Sequence, residues 1–158
     1  MIVDGKKRIW EDYQKTIADD RYFYQRSCIR QTFFPGSEVA FLKIMRDELG
    51  KDVFDEPRLT TCSGIGYHTD IVPFDTTQAV VARHFSLMTE NGYRNVVVSC
   101  VTTFGIYTEV IETWKHFPYE EEKARENLYK ATGRTFEIPE NVVHASDLIF
   151  KFREELAI

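Results

Sequence analysis

The strongest structural signal in the chain is the stretch Asn95-Val96-Val97-Val98-Ser99-Cys100. Three consecutive valines between polar residues are typical of a parallel strand that is covered on both faces. A helical pattern follows directly, with Ile106, Val110 and Trp114 recurring on one face. A buried strand that leads into an amphipathic helix predicts an α/β unit, and the strand ends on a cysteine.

The same alternation of strand and helix continues on both sides of this unit. The pattern predicts strands over 21–27 and 141–144, an extended segment over 57–61, and helices over 37–49, 75–91, 103–117, 120–132 and the C-terminus. Thr103 is expected to cap the helix over 103–117, and Asp75 with Gln78 resembles a capping box. This order predicts a mainly parallel sheet flanked by helices. We expect a helical extension over 1–20 and a single domain over 21–158.

Length and composition narrow the class of protein. The chain has 158 residues, 43% of them hydrophobic and 28% charged, which suits one globular domain with its own core. No apolar run approaches about 18 residues, so no membrane span is expected. The N-terminus lacks the apolar segment of a signal peptide, so we expect a cytoplasmic protein. A net charge of −5 and scattered basic residues argue against a nucleic-acid surface.

Cys28, Cys62 and Cys100 each fall where a predicted strand gives way to a loop. Ligands collect at the carboxyl ends of parallel strands, so these cysteines meet if their strands are neighbours. An odd number of cysteines without a secretion signal argues against a disulfide framework. Three thiolates with one further ligand suit either zinc or an iron–sulfur cluster, and the spacing leaves both open. Alternatively, Cys62 and Cys100 are small buried core residues.

A catalytic thiol is a second chemical interpretation. Cys100 precedes a helix whose dipole would lower the pKa of the thiol, and His68 or His144 could act as the base. His68 also closes a glycine-containing loop whose backbone can approach a bound group, so it is a candidate ligand. The other two histidines, His84 and His116, lie in predicted helices and are expected at the surface or at a helix end.

Three segments of the chain carry cysteines in a recognisable order: Cys28, then Thr61-Cys62-Ser63-Gly64, then Ser99-Cys100-Val101-Thr102-Thr103. Together they resemble the cysteine-rich CCG domain of the disulfide-cleaving subunit of heterodisulfide reductase. That family carries a single cysteine, an adjacent pair of cysteines and a CxxC motif in this order. The tail Val142-Val143-His144-Ala145-Ser146-Asp147-Leu148-Ile149 is similar to the family's last strand and closing helix. The likeness covers roughly residues 22 to 152 and implies the family's Rossmann-like CCG fold.

Two positions depart from the family's motif. Ser63 stands where the adjacent pair would have its second cysteine, and Thr103 where the CxxC would have its second. Five cysteines of the family hold a noncubane pair of fused iron–sulfur units, and three thiolates argue against that form. The resemblance therefore implies a simpler cluster on the three cysteines, with [4Fe–4S] preferred over [2Fe–2S]. Ser63, Thr103 or His68 is the candidate fourth ligand, and an empty, vestigial site is the alternative.

The function that the resemblance implies is electron transfer. The chain would be an iron–sulfur domain or subunit of a heterodisulfide-reductase-like complex, such as a sulfur-oxidising one, acting in thiol/disulfide redox metabolism. Because only three thiolates are present, we do not expect this domain itself to cleave a disulfide. Family members usually join two such domains, so the expected partners are other subunits of the complex, a second CCG domain or a second copy of this chain. A cluster-free scaffold that docks a partner and the Cys/His thiol enzyme are the alternatives.

Overall fold

The computed structural model describes residues 21–59, 61–64 and 71–157. In chain order the elements are β1 (Arg21–Gln25), α1 (Cys28–Phe33), α2 (Pro35–Lys43), a π-helical turn (Ile44–Glu48), β2 (Asp52–Asp55), α3 (Phe74–Glu90), β3 (Asn95–Val98), α4 (Val101–His116), α5 (Pro118–Thr132), β4 (Asn141–His144) and α6 (Ala145–Lys151). The extension predicted over 1–20 lies outside the described residues. Among the described helices, none is both long and apolar enough to cross a lipid bilayer.

The four strands form one parallel sheet in the order β2-β1-β3-β4. Phe23 of β1 pairs with Phe54 of β2 on one side and with Val96 of β3 on the other. The predicted α/β fold with a mainly parallel sheet is confirmed. The chain moves outward from β1 to β2 and then returns to the other side of β1 for β3, so the strand order reverses between β1 and β3. Open parallel sheets bind ligands at such a reversal, outside the carboxyl ends of the strands.

The sheet separates two layers of helices, and alternate residues of β1 face opposite layers. Phe23 belongs to the core on the side of α3 and α4, which includes Phe85 and Trp114. Tyr22 and Tyr24 belong to the core on the side of α2 and α6. Because helices cover both faces, every residue of β3 is buried, as the run of valines predicted.

Two helices begin earlier than their predicted caps. Cys100 is the N-cap of α4, so Thr103 lies buried in the first turn and its prediction as the cap is wrong. Pro73 precedes α3 and no side chain caps that helix, so the capping box of Asp75 and Gln78 is wrong too. Gln78 is buried and accepts a hydrogen bond of 2.5 Å from the indole N–H of Trp114. The polar side chains of Thr103 and Gln78 thus bind partners on other elements instead of capping their own helices.

The segments after β1 and β2 also differ from the prediction. Residues 28–33 form α1, which Ser27 caps by accepting a hydrogen bond of 3.2 Å from the backbone N–H of Arg30. The second strand is Asp52–Asp55, and the extended segment predicted over 57–61 is wrong because Pro57 and Arg58 form a turn. Cys28 stays close to the end of β1, whereas the earlier end of β2 places Cys62 in the loop that follows this strand.

Glu56, which follows β2, is expected to make unfolding dependent on pH. Its buried carboxylate accepts hydrogen bonds from the side chain and the backbone N–H of Arg58 and from the amide of Asn91. These contacts lower the pKa of Glu56 from 4.5 to about 2. The unfolded chain therefore binds a proton first as the pH falls, so the stability that Glu56 contributes is present above pH 4.5 and is lost towards pH 2.

Urea unfolding at a series of pH values checks this expectation. The free energy of unfolding should decline between pH 4.5 and 2 in the wild type, and Glu56→Gln should remove its share of the decline. Glu140→Gln is the control, because it breaks an ion pair with Arg94 in which both side chains are exposed, and the decline should persist. An equal decline in wild type and Glu56→Gln would contradict the assignment.

Candidate functional site

The three cysteines lie along one edge of the sheet. Cys28 is the first residue of α1 and is separated from the end of β1 at Gln25 only by Arg26-Ser27. Cys62 lies in the segment that follows β2, and Cys100 precedes α4 at the end of β3. Since β1 lies between β2 and β3, the fold gathers three positions that are distant in sequence. Cys28 and Cys100 lie at the ends of neighbouring strands, as predicted, whereas Cys62 lies in the loop after residues 56–61, beyond the end of β2.

The thiols of Cys28 and Cys62 lie close enough for the charge of one to affect the ionisation of the other. Partial burial raises the pKa of Cys28, and the charge and hydrogen bond of Cys62, together with the charge of Cys100, raise it further. The backbone N–H of Ile29 acts in the opposite direction. A positive centre between two such thiols would stabilise both of them as thiolates.

Cys100 differs from Cys28 because its surroundings favour the thiolate. Burial alone would raise its pKa, but the backbone N–H and hydroxyl groups of Thr103 and Thr102 outweigh burial and lower it. Cys62 is exposed and Cys100 is partly buried, so the interpretation of these two as buried core residues is wrong.

Ser63 and Thr103, the two hydroxyl residues at the departing motif positions, lie together. Their side-chain oxygens are 3.1 Å apart and form a hydrogen bond, and both residues are buried. Thr103 also acts on the Cys100 thiol, as its effect on the pKa shows. The structure thus brings together all five positions that the sequence singled out along the chain, with Cys28 facing Cys62 and Ser63 facing Thr103 beside Cys100.

A buried carboxylate joins the segments that carry Cys28 and Cys100. Glu38 of α2 is only 4% exposed and accepts a hydrogen bond of 3.0 Å from the hydroxyl of Ser99. The same Ser99 oxygen accepts a hydrogen bond of 3.1 Å from the backbone N–H of Ser27. Since Ser27 and Ser99 directly precede the two cysteines, this link fixes the end of β1 against the end of β3.

Gly64 secures the loop that carries Cys62, and its replacement by alanine is expected to be destabilising. Its φ is +96°, and an added Cβ would lie 3.0 Å from Oγ1 and 3.2 Å from Cα of Thr77. Its carbonyl also accepts a hydrogen bond of 2.8 Å from the Thr77 hydroxyl. Gly64→Ala should therefore lower the free energy of unfolding by about 1–3 kcal/mol, as measured by urea denaturation.

Gly105→Ala provides a matched control for Gly64→Ala. Gly105 lies within α4, and an added Cβ there would meet no atom within 4 Å. Alanine is favoured over glycine inside a helix, so this variant should be more stable than the wild type by up to about 1 kcal/mol. If Gly64→Ala were as stable as Gly105→Ala, the strained conformation assigned to Gly64 would be contradicted.

Two of the histidines lie where the sequence suggested. His144 is the N-cap of α6, and its Nδ1 accepts a hydrogen bond from the backbone N–H of Ser146. It pairs with Val98 across the sheet, which places it one strand away from Cys100. Burial lowers the pKa of His144, so its ring is neutral over most of the physiological range. His116 is exposed at the end of α4, as predicted, and His68 lies outside the described residues.

His84 contradicts its prediction as a surface or cap residue. It is 1% exposed and lies in the middle of α3, and burial lowers the pKa of its ring to about 3. The signal that sequence reasoning missed was its spacing, since Val81 and Met88 lie three residues before it and four after it on the same buried face. A neutral, polar ring thus lies inside the core, beneath the cysteine-bearing edge.

Within the described residues, no three His, Cys, Asp or Glu side chains are arranged to hold a single metal ion. Zinc needs such an arrangement, with its ligands about 2.0–2.3 Å from one centre. Ligands of an iron–sulfur cluster are distributed differently, because each thiolate binds its own iron atom at the corner of a larger group.

Large apolar side chains are exposed in the segments that follow the cysteines in the chain. We define the apolar rim as the five residues of these segments that are 60–77% exposed, namely Ile29, Phe33, Phe34, Ile71 and Val101. Ile29 and Val101 directly follow Cys28 and Cys100. Exposed apolar surface of a folded domain marks a site of interaction when it forms a large patch.

Comparison with known proteins places the chain as follows. No model of a known protein family matches it. It is 32% identical over 98 residues, 62% of its length, to a subunit of the ferredoxin:CoB-CoM heterodisulfide reductase of Methanosarcina acetivorans. A crystal structure of a hypothetical protein from Helicobacter pylori superposes with a TM-score of 0.62 and 15% identity over 89% of this chain, which shows a shared fold. The chain spans 31% of the length of the first protein and 30% of the second, and is thus similar to one part of a heterodisulfide reductase subunit.

Proposed function

We propose that residues 21–158 form a single CCG-type domain of the heterodisulfide reductase kind, which carries electrons on an iron–sulfur cluster bound by Cys28, Cys62 and Cys100. The convergence of the motif positions at one sheet edge supports this proposal most directly. The partial similarity to a heterodisulfide reductase subunit supports it independently. The domain would act in the cytoplasm, in thiol/disulfide redox metabolism.

The chemistry of the donor set agrees with a cluster that has three protein thiolates. Soft thiolates are the ligands that iron–sulfur clusters use, and hydroxyls replace them poorly. A [4Fe–4S] cluster on three cysteines leaves one iron for another ligand, for which Ser63, Thr103 and His68 are the candidates, whereas a [2Fe–2S] cluster is the second choice. With two of the five family cysteines replaced, the noncubane form and disulfide cleavage by this domain are not proposed.

The surroundings of the thiols suit electron transfer. When bound, the cluster would supply reversible storage of one electron. The first turn of α4 lowers the pKa of Cys100 and so stabilises its thiolate. The backbone N–H of Ile29 acts in the same direction on Cys28, whose pKa burial and the neighbouring thiols nevertheless raise. Hydrogen bonds to sulfur and exclusion of water are the means by which proteins set the potential of such centres. The apolar rim would exclude water once a partner covers it.

Anaerobic reconstitution of the metal-free chain with ferrous iron and sulfide tests the proposal. The expected product contains about four iron and four acid-labile sulfide atoms per chain and has the visible absorption of thiolate-to-iron charge transfer. A chain that binds neither iron nor sulfide under these conditions would overturn the proposal.

The apolar rim favours a second function, the docking of a partner without a cluster. The partner would be another subunit of a heterodisulfide-reductase-like complex, a second domain of this kind or a second copy of the chain. Cys28→Ser separates the two functions. If partner binding and electron flow are both unchanged in this variant, the chain is a scaffold. If partner binding persists and electron flow is lost, the cluster is required.

The lowered pKa of Cys100 keeps a thiol enzyme as a further candidate, with His144 on the adjacent strand as the base. If Cys100 is a catalytic thiol, iodoacetamide should alkylate it rapidly, at a rate that rises as the pH passes through the pKa of the thiol. A Cys100 thiol that reacts no faster than free cysteine would exclude this mechanism.

A further inference from the structure

His84 makes two hydrogen bonds inside the core that connect it to the cysteine-bearing edge. Its Nε2 lies 3.0 Å from the hydroxyl oxygen of Thr61, the residue directly before Cys62. Its Nδ1 lies 2.7 Å from the hydroxyl oxygen of Tyr107, which is fully buried in α4. The ring therefore bridges α4 and the loop that carries Cys62.

The direction of each hydrogen bond follows from the groups at the far end. The Tyr107 hydroxyl donates to Oε1 of Gln25, an oxygen that can only accept, at 3.2 Å. Tyr107 has used its one proton, so it must accept from His84, which places the ring proton on Nδ1. Nε2 is then an acceptor, and the hydroxyl of Thr61 must donate to it.

Gln25 closes these hydrogen bonds into a cyclic network of four residues. Its side-chain nitrogen donates to the carbonyl of Arg26 at 3.0 Å and reaches the carbonyl of Thr61 at 3.5 Å. Gln25 is the last residue of β1, three positions before Cys28. The closed network of Thr61, His84, Tyr107 and Gln25 thus joins the residue before Cys62 to the strand that precedes Cys28.

We propose that Thr61 is a positioning residue, through which the buried ring of His84 holds the Cys62 thiol opposite the Cys28 thiol so that one thiophilic centre can bridge both. The inference rests on the site of the proposed function but not on the identity of the group bound there. It makes the paired thiols a preformed site for a soft metal or metalloid centre.

The presence of a histidine in the core supports a role for His84 in positioning Thr61, rather than in packing alone. A buried imidazole costs free energy unless both nitrogens are hydrogen-bonded, and an apolar side chain would fill the same space without that cost. Ser63 and Gly64, which follow Cys62, are held separately through Thr103 and Thr77. Hydrogen bonds on both sides of Cys62 leave its exposed side chain as the part of this segment that is available to a ligand.

Phenylarsine oxide is a suitable probe, because trivalent arsenic binds tightly only when two thiols can chelate it. The experiment measures its affinity for the reduced, metal-free protein. The wild type should bind one equivalent, and both Cys28→Ala and Cys62→Ala should abolish tight binding. Thr61→Val keeps the shape of the side chain but removes the hydroxyl and leaves Nε2 of the buried His84 ring without its donor, so binding should weaken about tenfold. Thr61→Ser keeps the hydroxyl and should bind like the wild type.

Thr108→Val is the matched control for Thr61→Val. The Thr108 hydroxyl bonds only to the backbone of its own helix, at 2.8 Å from the carbonyl of Phe104 and 2.9 Å from that of Gly105, and its loss should leave the affinity unchanged. Equal affinity in Thr61→Val and the wild type would overturn the proposal, as would equal weakening in Thr61→Val and Thr61→Ser. The assay contains no iron, so failure of the cluster proposal and failure of this one give different results.

Discussion

Cys62→Ala is expected to lose the iron that the wild-type chain retains after anaerobic reconstitution and gel filtration. Cys62 is exposed at the edge where Cys28 and Cys100 converge, so it contributes a ligand to the proposed cluster but little to the core. Removal of groups that only support metal ligands lowers affinity about 10–100-fold, and removal of a ligand should lower it at least as much. Retained iron should therefore fall below about a tenth of the wild-type content.

Thr61→Ser is the control for Cys62→Ala at the adjacent position. It removes one methyl group but keeps the hydroxyl that bonds to His84, so it tests whether disturbance of the loop alone expels the cluster. We expect Thr61→Ser to retain most of the iron and Cys62→Ala to retain little. Cys62→Ala with a wild-type iron content would show that this thiol is not a ligand.

The free energy of unfolding is expected to fall steeply between pH 6.5 and 4.5 because of His84. Burial lowers the pKa of its ring from 6.5 to about 3 in the folded protein. The unfolded chain therefore binds a proton first, so the stability is fully present above pH 6.5 and is lost as the pH falls towards 3. Down to pH 4.5 the expected loss is roughly 2–3 kcal/mol, since each pH unit corresponds to about 1.4 kcal/mol per proton.

Urea unfolding from pH 7 to 4.5 measures this loss, and His84→Gln should remove most of it. His144 contributes in the same direction because burial lowers its pKa too, so His144→Gln identifies its smaller share. NMR titration of the wild type provides a check that needs no variant, since the His84 ring should remain neutral at pH 4.5. A His84 ring that titrates near 6.5 would contradict the buried, neutral state.

The parallel α/β architecture and the places of Cys28 and Cys100 near strand ends could be predicted because they depend on patterns that few other structures satisfy. A run of valines fits only a strand covered on both faces, and β3 is buried throughout. Cysteines at the ends of such strands are brought together by parallel topology whatever the details of the loops. The C-terminus of α5 was predictable for a local reason, because Gly133 takes the left-handed conformation that glycine favours.

The first residues of the helices and the burial of polar side chains could not be predicted, because both depend on contacts with residues that are distant in the sequence. Thr103 has a typical cap residue's side chain, but its hydroxyl bonds to Ser63, 40 positions away. His84 resembled a surface residue because its partners, Thr61 and Tyr107, are each 23 positions away. Local propensity is a weak guide where a side chain finds its partner only after the fold is complete.

A redox titration of the reconstituted chain, followed by electron paramagnetic resonance, tests the central claim most directly. If Cys28, Cys62 and Cys100 hold an electron-transfer cluster, the wild type should take up one electron per chain reversibly and change its paramagnetic signal at a single potential. That potential should lie within the roughly −700 to +450 mV range of such clusters. A reconstituted chain that shows no reversible one-electron step would contradict the account.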